Sequence, residues 1–95
     1  MTRIAERVHH DPAEIARIES RILELDDQAI FEVLLDDGSR LEGTVTVRPS
    51  IQTFRDAEGN EGANALLRLD DLHAPGQSHY LWLDRIAGLQ RLGSA

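Results

Sequence analysis

Between Phe31 and Val47 the chain reads FEVLLDDGSRLEGTVTV, a run in which apolar side chains recur every second residue on both sides of a reversal. Phe31, Val33 and Leu35 face one way, Asp36-Asp37-Gly38 turns the chain, and Leu41, Gly43, Val45 and Val47 alternate with Glu42, Thr44 and Thr46. A period of two buries one face of a strand and leaves the other in water, so this stretch predicts a β-hairpin. Gly43 lies inside the second strand, away from the turn. A glycine there allows a sheet to bend sharply or another element to approach closely. Gly38 and Gly43 are therefore the expected fold-determining positions.

Upstream the period is different. HHDPAEIARIESRILEL carries the signs of a helix start: Asp11 as cap, Pro12 at the first helical position and Glu14 where a capping-box acid reaches back. Ile15, Ile18, Ile22 and Leu25 form one apolar stripe at spacings of three and four, flanked by Glu14, Arg17, Arg21 and Glu24. A helix over residues 11–26 is predicted. At that length it is marginal alone, so its stripe must rest on the rest of the fold.

Downstream of the hairpin, Pro49 excludes a central ladder position, and β-type residues resume at Ile51, Thr53 and Phe54, which predicts a long, bent second strand. RDAEGNEGA is a polar loop, NALLRLDD a third strand, LHAPGQS a second loop and HYLWLD a fourth strand with Tyr80 and Trp82 on one face. RIAGLQRLG fits either a helical spacing weakened by Gly88 or a one-turn step into a short fifth strand. Ninety-five residues with 41% apolar content suit a single domain over 1–95: a mobile N-terminus (1–10), the helix, and a sheet over 30–92.

One helix followed by about five strands joined by short turns reads as mainly β with one N-terminal α-helix, a strongly bent five-stranded antiparallel sheet forming a small barrel, for which topology alone leaves several candidates, the SH3-type barrel among them. VLLDDGSRLEGTV resembles the first half of the motif of Sm-like proteins, with Gly38 and Gly43 at its two glycine positions. NALLRLDD is similar to that family's third strand, and the resemblance implies that Asn64 stands where Sm-like proteins present a base-contacting side chain. LWLDRIAGLQRL resembles the second half-motif. Where the family places an Arg-Gly pair, however, this chain has Leu83-Asp84-Arg85. The whole chain, helix included, also resembles a small family of uncharacterised bacterial proteins with a variant Sm-like fold, which implies a barrel and no activity.

Charge bears on what such a barrel can bind. Seventeen acids against ten bases give a net charge of −7, a field that repels polyphosphate and disfavours RNA. All ten bases are arginines and they are scattered; Arg85 and Arg91 are the best local basic candidates, and Tyr80 with Trp82 is the candidate stacking platform. Asn64, Tyr80, Trp82, Arg85 and Arg91 are thus the expected contacts for RNA or a partner.

Other chemistry fails on its own requirements. The doublets Asp26-Asp27, Asp36-Asp37 and Asp70-Asp71 all sit at predicted element ends, where Asp bonds nearby backbone amides. DAEGNEG mimics a calcium loop at Asp56, Glu58 and Asn60, but Glu61 stands where that loop needs glycine and Leu67 where it needs a bidentate acid. His9, His10, His73 and His79 lack i, i+4 spacing, and with no cysteine there is neither a disulfide nor a thiolate metal site. No nucleophile elbow, phosphate loop or dinucleotide fingerprint occurs. The expectation is a non-enzyme with no catalytic residue, cofactor or metal.

No window reaches the length of a membrane span, and MTRIAERVHHDP carries charge every few residues, unlike a secretory signal; a cytoplasmic location is expected. A bent sheet of short strands leaves unpaired edges, and Sm-like barrels join the fourth strand of one subunit to the fifth of the next. The resemblance therefore implies a homo-oligomer, a dimer or small ring, through residues 78–92. A protein partner on that surface and weak single-stranded RNA binding are the alternatives.

Overall fold

The computed structural model describes residues 4–94. In chain order it contains α1 (Pro12–Glu24), β1 (Ala29–Leu35), β2 (Arg40–Val45), β3 (Gln52–Arg55), β4 (Glu61–Asn64), β5 (Leu66–Asp71), β6 (Ser78–Trp82), a one-turn 3-10 helix (Leu83–Arg85) and β7 (Ile86–Ser94). The start of α1 follows its sequence signal: the Asp11 side chain accepts from the Ala13 amide at 3.0 Å, and Pro12 follows it. Of the apolar stripe, Ile18 and Leu25 are fully buried and Ile15 and Ile22 partly so, against the 3-10 turn, β4 and the sheet.

Five strands form one antiparallel sheet in the order β6-β5-β2-β1-β7. No ladder joins β6 to β7 among the described residues, so the bent sheet does not close, and these two strands are its edges. The β1–β2 turn needs Gly38, whose φ of 87° is left-handed, and Asp37 fastens the turn by accepting from the amide and hydroxyl of Ser39. Gly43 pairs with Phe31 on one side and Asp71 on the other. A Cβ there would lie 2.3 Å from the Asp70 carbonyl oxygen and 2.7 Å from Leu69 Cγ. The close approach expected at this glycine is thus what lets β5 lie against β2.

The long second strand is two strands. β2 ends at Val45, and residues 46–51 turn beneath the C-terminal end of α1, where Arg48 donates to the Leu25 carbonyl at 3.1 Å and to Asp26 at 3.0 Å. Beyond this turn β3 pairs only with β4, as a separate two-stranded sheet. The third strand is likewise divided at Ala65, with β4 on its near side and β5 on its far side. At the C-terminal end the one-turn step is realised, followed by a nine-residue β7. β7 shifts register against β1 near its start, and there Arg21 of α1 donates to the Ala87 carbonyl at 3.0 Å.

The main core lies between α1 and the concave side of the five-stranded sheet: Ile18, Leu25, Phe31, Val33, Val45, Leu67, Leu69, Leu83 and Ile86 are all 3% exposed or less. Residues 4–10 lie against the β3–β4 hairpin and are hydrogen-bonded to it. Residues 1–3 of the mobile N-terminus expected from the sequence fall outside the described residues.

Candidate partner and ligand surface

β6 and the 3-10 turn bring three of the five expected contact residues together. Tyr80, Trp82 and Arg85 line a cleft of about 100 Å³ with Leu35, Leu81 and Glu6. Alternation along β6 places Tyr80 and Trp82 on one face, opposite Arg68 and Leu66 of β5. Tyr80 is 55% exposed, whereas Trp82 is half-buried and packs edge-on against Phe54, ring centroids 5.0 Å apart at 89°. One side of the indole is therefore occupied by the hairpin.

Arg85 is surrounded by acid. Its guanidinium lies 3.3 Å from Asp36, 3.6 Å from Asp37 and 3.6 Å from Glu6. The hydrogen bond and charge of Asp36, reinforced by Glu6 and Asp37, raise its pKa still further. Arg91 lies six residues along the chain, about 20 Å if extended; it bonds Asp26 at 2.8 Å and Ser94 at 2.9 Å and does not share the cleft. The two arginines form no patch.

Asn64 is completely buried. Its Nδ2 donates to the Arg7 carbonyl at 2.9 Å and its Oδ1 accepts from the Ala65 amide at 2.8 Å, so its polar edge is spent inside the protein. No local pattern around Asn64 points to this partner, 57 positions away. Arg7 links Asn64 to Asp84, the acid of the Leu83-Asp84 pair that stands where the Sm-like motif has Arg-Gly. Only 4% of the Asp84 side chain is exposed; Oδ2 accepts from His9 Nε2 at 2.8 Å and lies 3.4 Å from Arg7 Nε, while Oδ1 has no hydrogen-bond partner.

The remaining acids serve their turns. All six carboxylates of the Asp doublets accept hydrogen bonds from nearby backbone, hydroxyl, imidazole or guanidinium groups. Asp71 accepts from His79, and from the amides of His73 and Ala74, which together hold its carboxyl below its ordinary value. Asp56 in the calcium-like loop closes the β3–β4 turn, accepting from the Asn60 amide, the Asn60 side chain and the Glu58 amide, and these donors lower its pKa as well. No group of three or more His, Asp or Glu side chains placed to hold a metal ion occurs among the described residues.

Residues 2–92 match the family described as Domain of unknown function (DUF3247). The chain belongs to this family. The DUF3247 chain is also similar, at 42% identity over 95% of its length and 97% of the other chain, to a crystal structure from Xanthomonas campestris described as adopting a novel variant of the Sm-like motif. The TM-score is 0.87. No match is found among functionally curated proteins. The fold is thus an Sm-like variant, mainly β with one helix, and no helix among the described residues is long and apolar enough to cross a membrane.

Proposed function

We propose that this DUF3247 chain is a non-enzymatic Sm-like module of the cytoplasm that works by associating with itself or by docking a protein through residues 78–92. One observation carries this reading: β6 and β7 are the two unpaired edges of a single sheet. Edge strands present rows of amide and carbonyl groups that a strand from another chain satisfies. Because the two edges are different surfaces, pairing β6 of one copy with β7 of the next is head-to-tail and closes into a ring when the rotation allows. Tyr80, 55% exposed, and Leu92, 44% exposed, add apolar surface at those edges.

Sedimentation or light scattering from micromolar to several hundred micromolar protein tests it. A dimer or small ring is expected, and proline at Tyr80 or Arg91, whose amides point away from β5 and β1 in the ladder alternation, shifts the population to monomer. A monomer throughout that range overturns self-association.

A second reading, weak binding of single-stranded RNA, has one observation in its favour: Tyr80, Trp82 and Arg85 line the same cleft. The buried Asn64 and the acid around Arg85 oppose it. Titration of a labelled uridine-rich oligomer at low salt decides; an unchanged signal at close to millimolar protein excludes this role.

A further inference from the structure

Residues 4–10 are seated in a groove rather than resting on a surface. The Ala5 amide donates to the Arg55 carbonyl at 2.8 Å, and His9 and Ala63 exchange two backbone hydrogen bonds, each 2.9 Å. Asn64 holds the carbonyl of Arg7 between these points, and His10 Nε2 reaches the carbonyl of Glu61. Space is made for the segment: a Cβ on Gly62 would lie 2.9 Å from Val8 Cβ and 3.0 Å from the His9 carbonyl oxygen. The segment touches β3 at Arg55 and β4 at Ala63 through single bridges, so main-chain bonds supply attraction and side-chain positions supply selection.

The selecting element is Asp84. A carboxylate removed from water is costly unless cations or hydrogen-bond donors meet it. Its ionic contacts are with Arg7 and His9, both belonging to the seated segment, and its Oδ1 remains unsatisfied. The groove therefore asks for a cation and an N–H donor at two alternate positions of an extended backbone, with an aliphatic side chain between them over Gly62. Nucleic acid offers the opposite charge. The occupant is also held lightly at its charged end: the Arg7 side chain is 57% exposed, and ion pairs in such settings contribute little.

We propose that the groove formed by Arg55, Gly62, Ala63, Asn64 and Asp84 is a recognition site for an extended basic segment of a protein partner, one carrying Arg and His two residues apart around an aliphatic residue, and that residues 5–9 fill it until such a segment displaces them. The site uses none of the edge groups of β6 and β7, so it neither requires nor prevents edge pairing. The tethered segment competes at high effective concentration, and binding by the parent protein is correspondingly weak.

The test uses the full chain and a fluorescent peptide, TRIAERVHH, whose sequence is that of residues 2–10. The double variant R7A/H9A weakens the tethered competitor while leaving the groove intact. Its anisotropy titration should show at least tenfold tighter binding than the parent, no binding when the peptide's Arg7 and His9 are replaced by Glu, and at least tenfold loss when Asp84→Asn is added. His9→Pro, which deletes the backbone donor to Ala63 as well as the imidazole, is the second opened variant, and circular dichroism reports whether each is folded. Amide exchange of the parent supplies an independent readout: the His9 and Ala63 amides should exchange at least a hundredfold faster than those of Leu67 and Leu69. Exchange of both sets at one common rate overturns the proposal, because the segment then leaves only on unfolding. So does a folded, opened variant that ignores the peptide at millimolar concentration or takes a uridine-rich oligomer instead. Sedimentation of the same variants reads edge association separately, so failure here and failure of self-assembly are distinguishable.

Discussion

The five-stranded sheet and the β3–β4 hairpin belong to one chain, yet different contacts hold them. On the sheet side, Phe31, Val33, Val45, Leu67 and Leu69 meet Ile18, Leu25, Leu83 and Ile86, all of them buried and aliphatic or aromatic. On the hairpin side the buried groups are few, Ala5, Phe54 and Asn64, and the remaining connections are backbone bonds and one buried carboxylate with its Arg7 and His9 partners. Apolar burial is non-directional and scales with area, whereas polar connections depend on every partner being present. The contrast is between a region held by buried apolar area and one held by a few specific polar partners.

Leu67→Ala should cost about 3–4 kcal/mol, the ordinary range for deleting a fully buried Leu, and urea melting followed by circular dichroism should show both regions unfolding together. A cost under 1 kcal/mol would mean that the sheet core is not what sets the topology. Gly43→Ala comes next, at about 2–3 kcal/mol, because its new methyl group meets a backbone carbonyl that cannot rotate away. If the substitution is neutral, β5 does not lie where the structure places it.

Asn64→Ala should be smaller and confined. It leaves the Arg7 carbonyl and the Ala65 amide without their partner, a loss of about 1–2 kcal/mol, and amide exchange should rise at His9 and Ala63 while Leu69 stays protected. Equal loss of protection in both regions would erase the distinction. Acid offers a gentler probe. The folded-state carboxyls of Asp71, at the sheet, and Asp56, in the hairpin turn, both titrate below the ordinary value of 3.8, so each contributes stability that is complete above about pH 4 and is lost as pH falls through the lowered value. Urea midpoints between pH 6 and pH 2.5 should fall on acidification, and Asp71→Asn should flatten that decline; a profile unchanged by it would show that His79 and the loop amides do not hold the charge. Smallest of all, Arg55→Ala removes an exposed pair with Glu61 at 3.0 Å and should alter stability by less than about 0.5 kcal/mol.

How much of this was legible depends on where each residue's partners lie. The alternation around Asp36-Asp37-Gly38, the Asp11-Pro12 cap and the stripe of Ile18 and Leu25 depend on near neighbours or on simple burial, and local sequence is enough to read them. Gly43 was readable as a close approach, though not as an approach to Asp70 in particular. The division of the second strand at Val45 was not, because Arg48 turns the chain by bonding the distant Leu25 carbonyl and Asp26. Asn64 was singled out as a contact residue by resemblance, and its partner proves to be the Arg7 carbonyl, 57 positions away. The segment over Arg7 and His9 has no period at all; its only trace was the unexplained acid at Asp84, whose charge makes sense once those two side chains are beside it.

The bond from Arg21 to the Ala87 carbonyl carries a geometric consequence of its own. A guanidinium from the helix stands at the beginning of the β7 margin like a bookend, so an incoming strand has to start its ladder past that point. The helix, far from being a decoration on an Sm-like body, thereby fixes where a neighbour would be measured from, and shortening Arg21 would let such a neighbour slide.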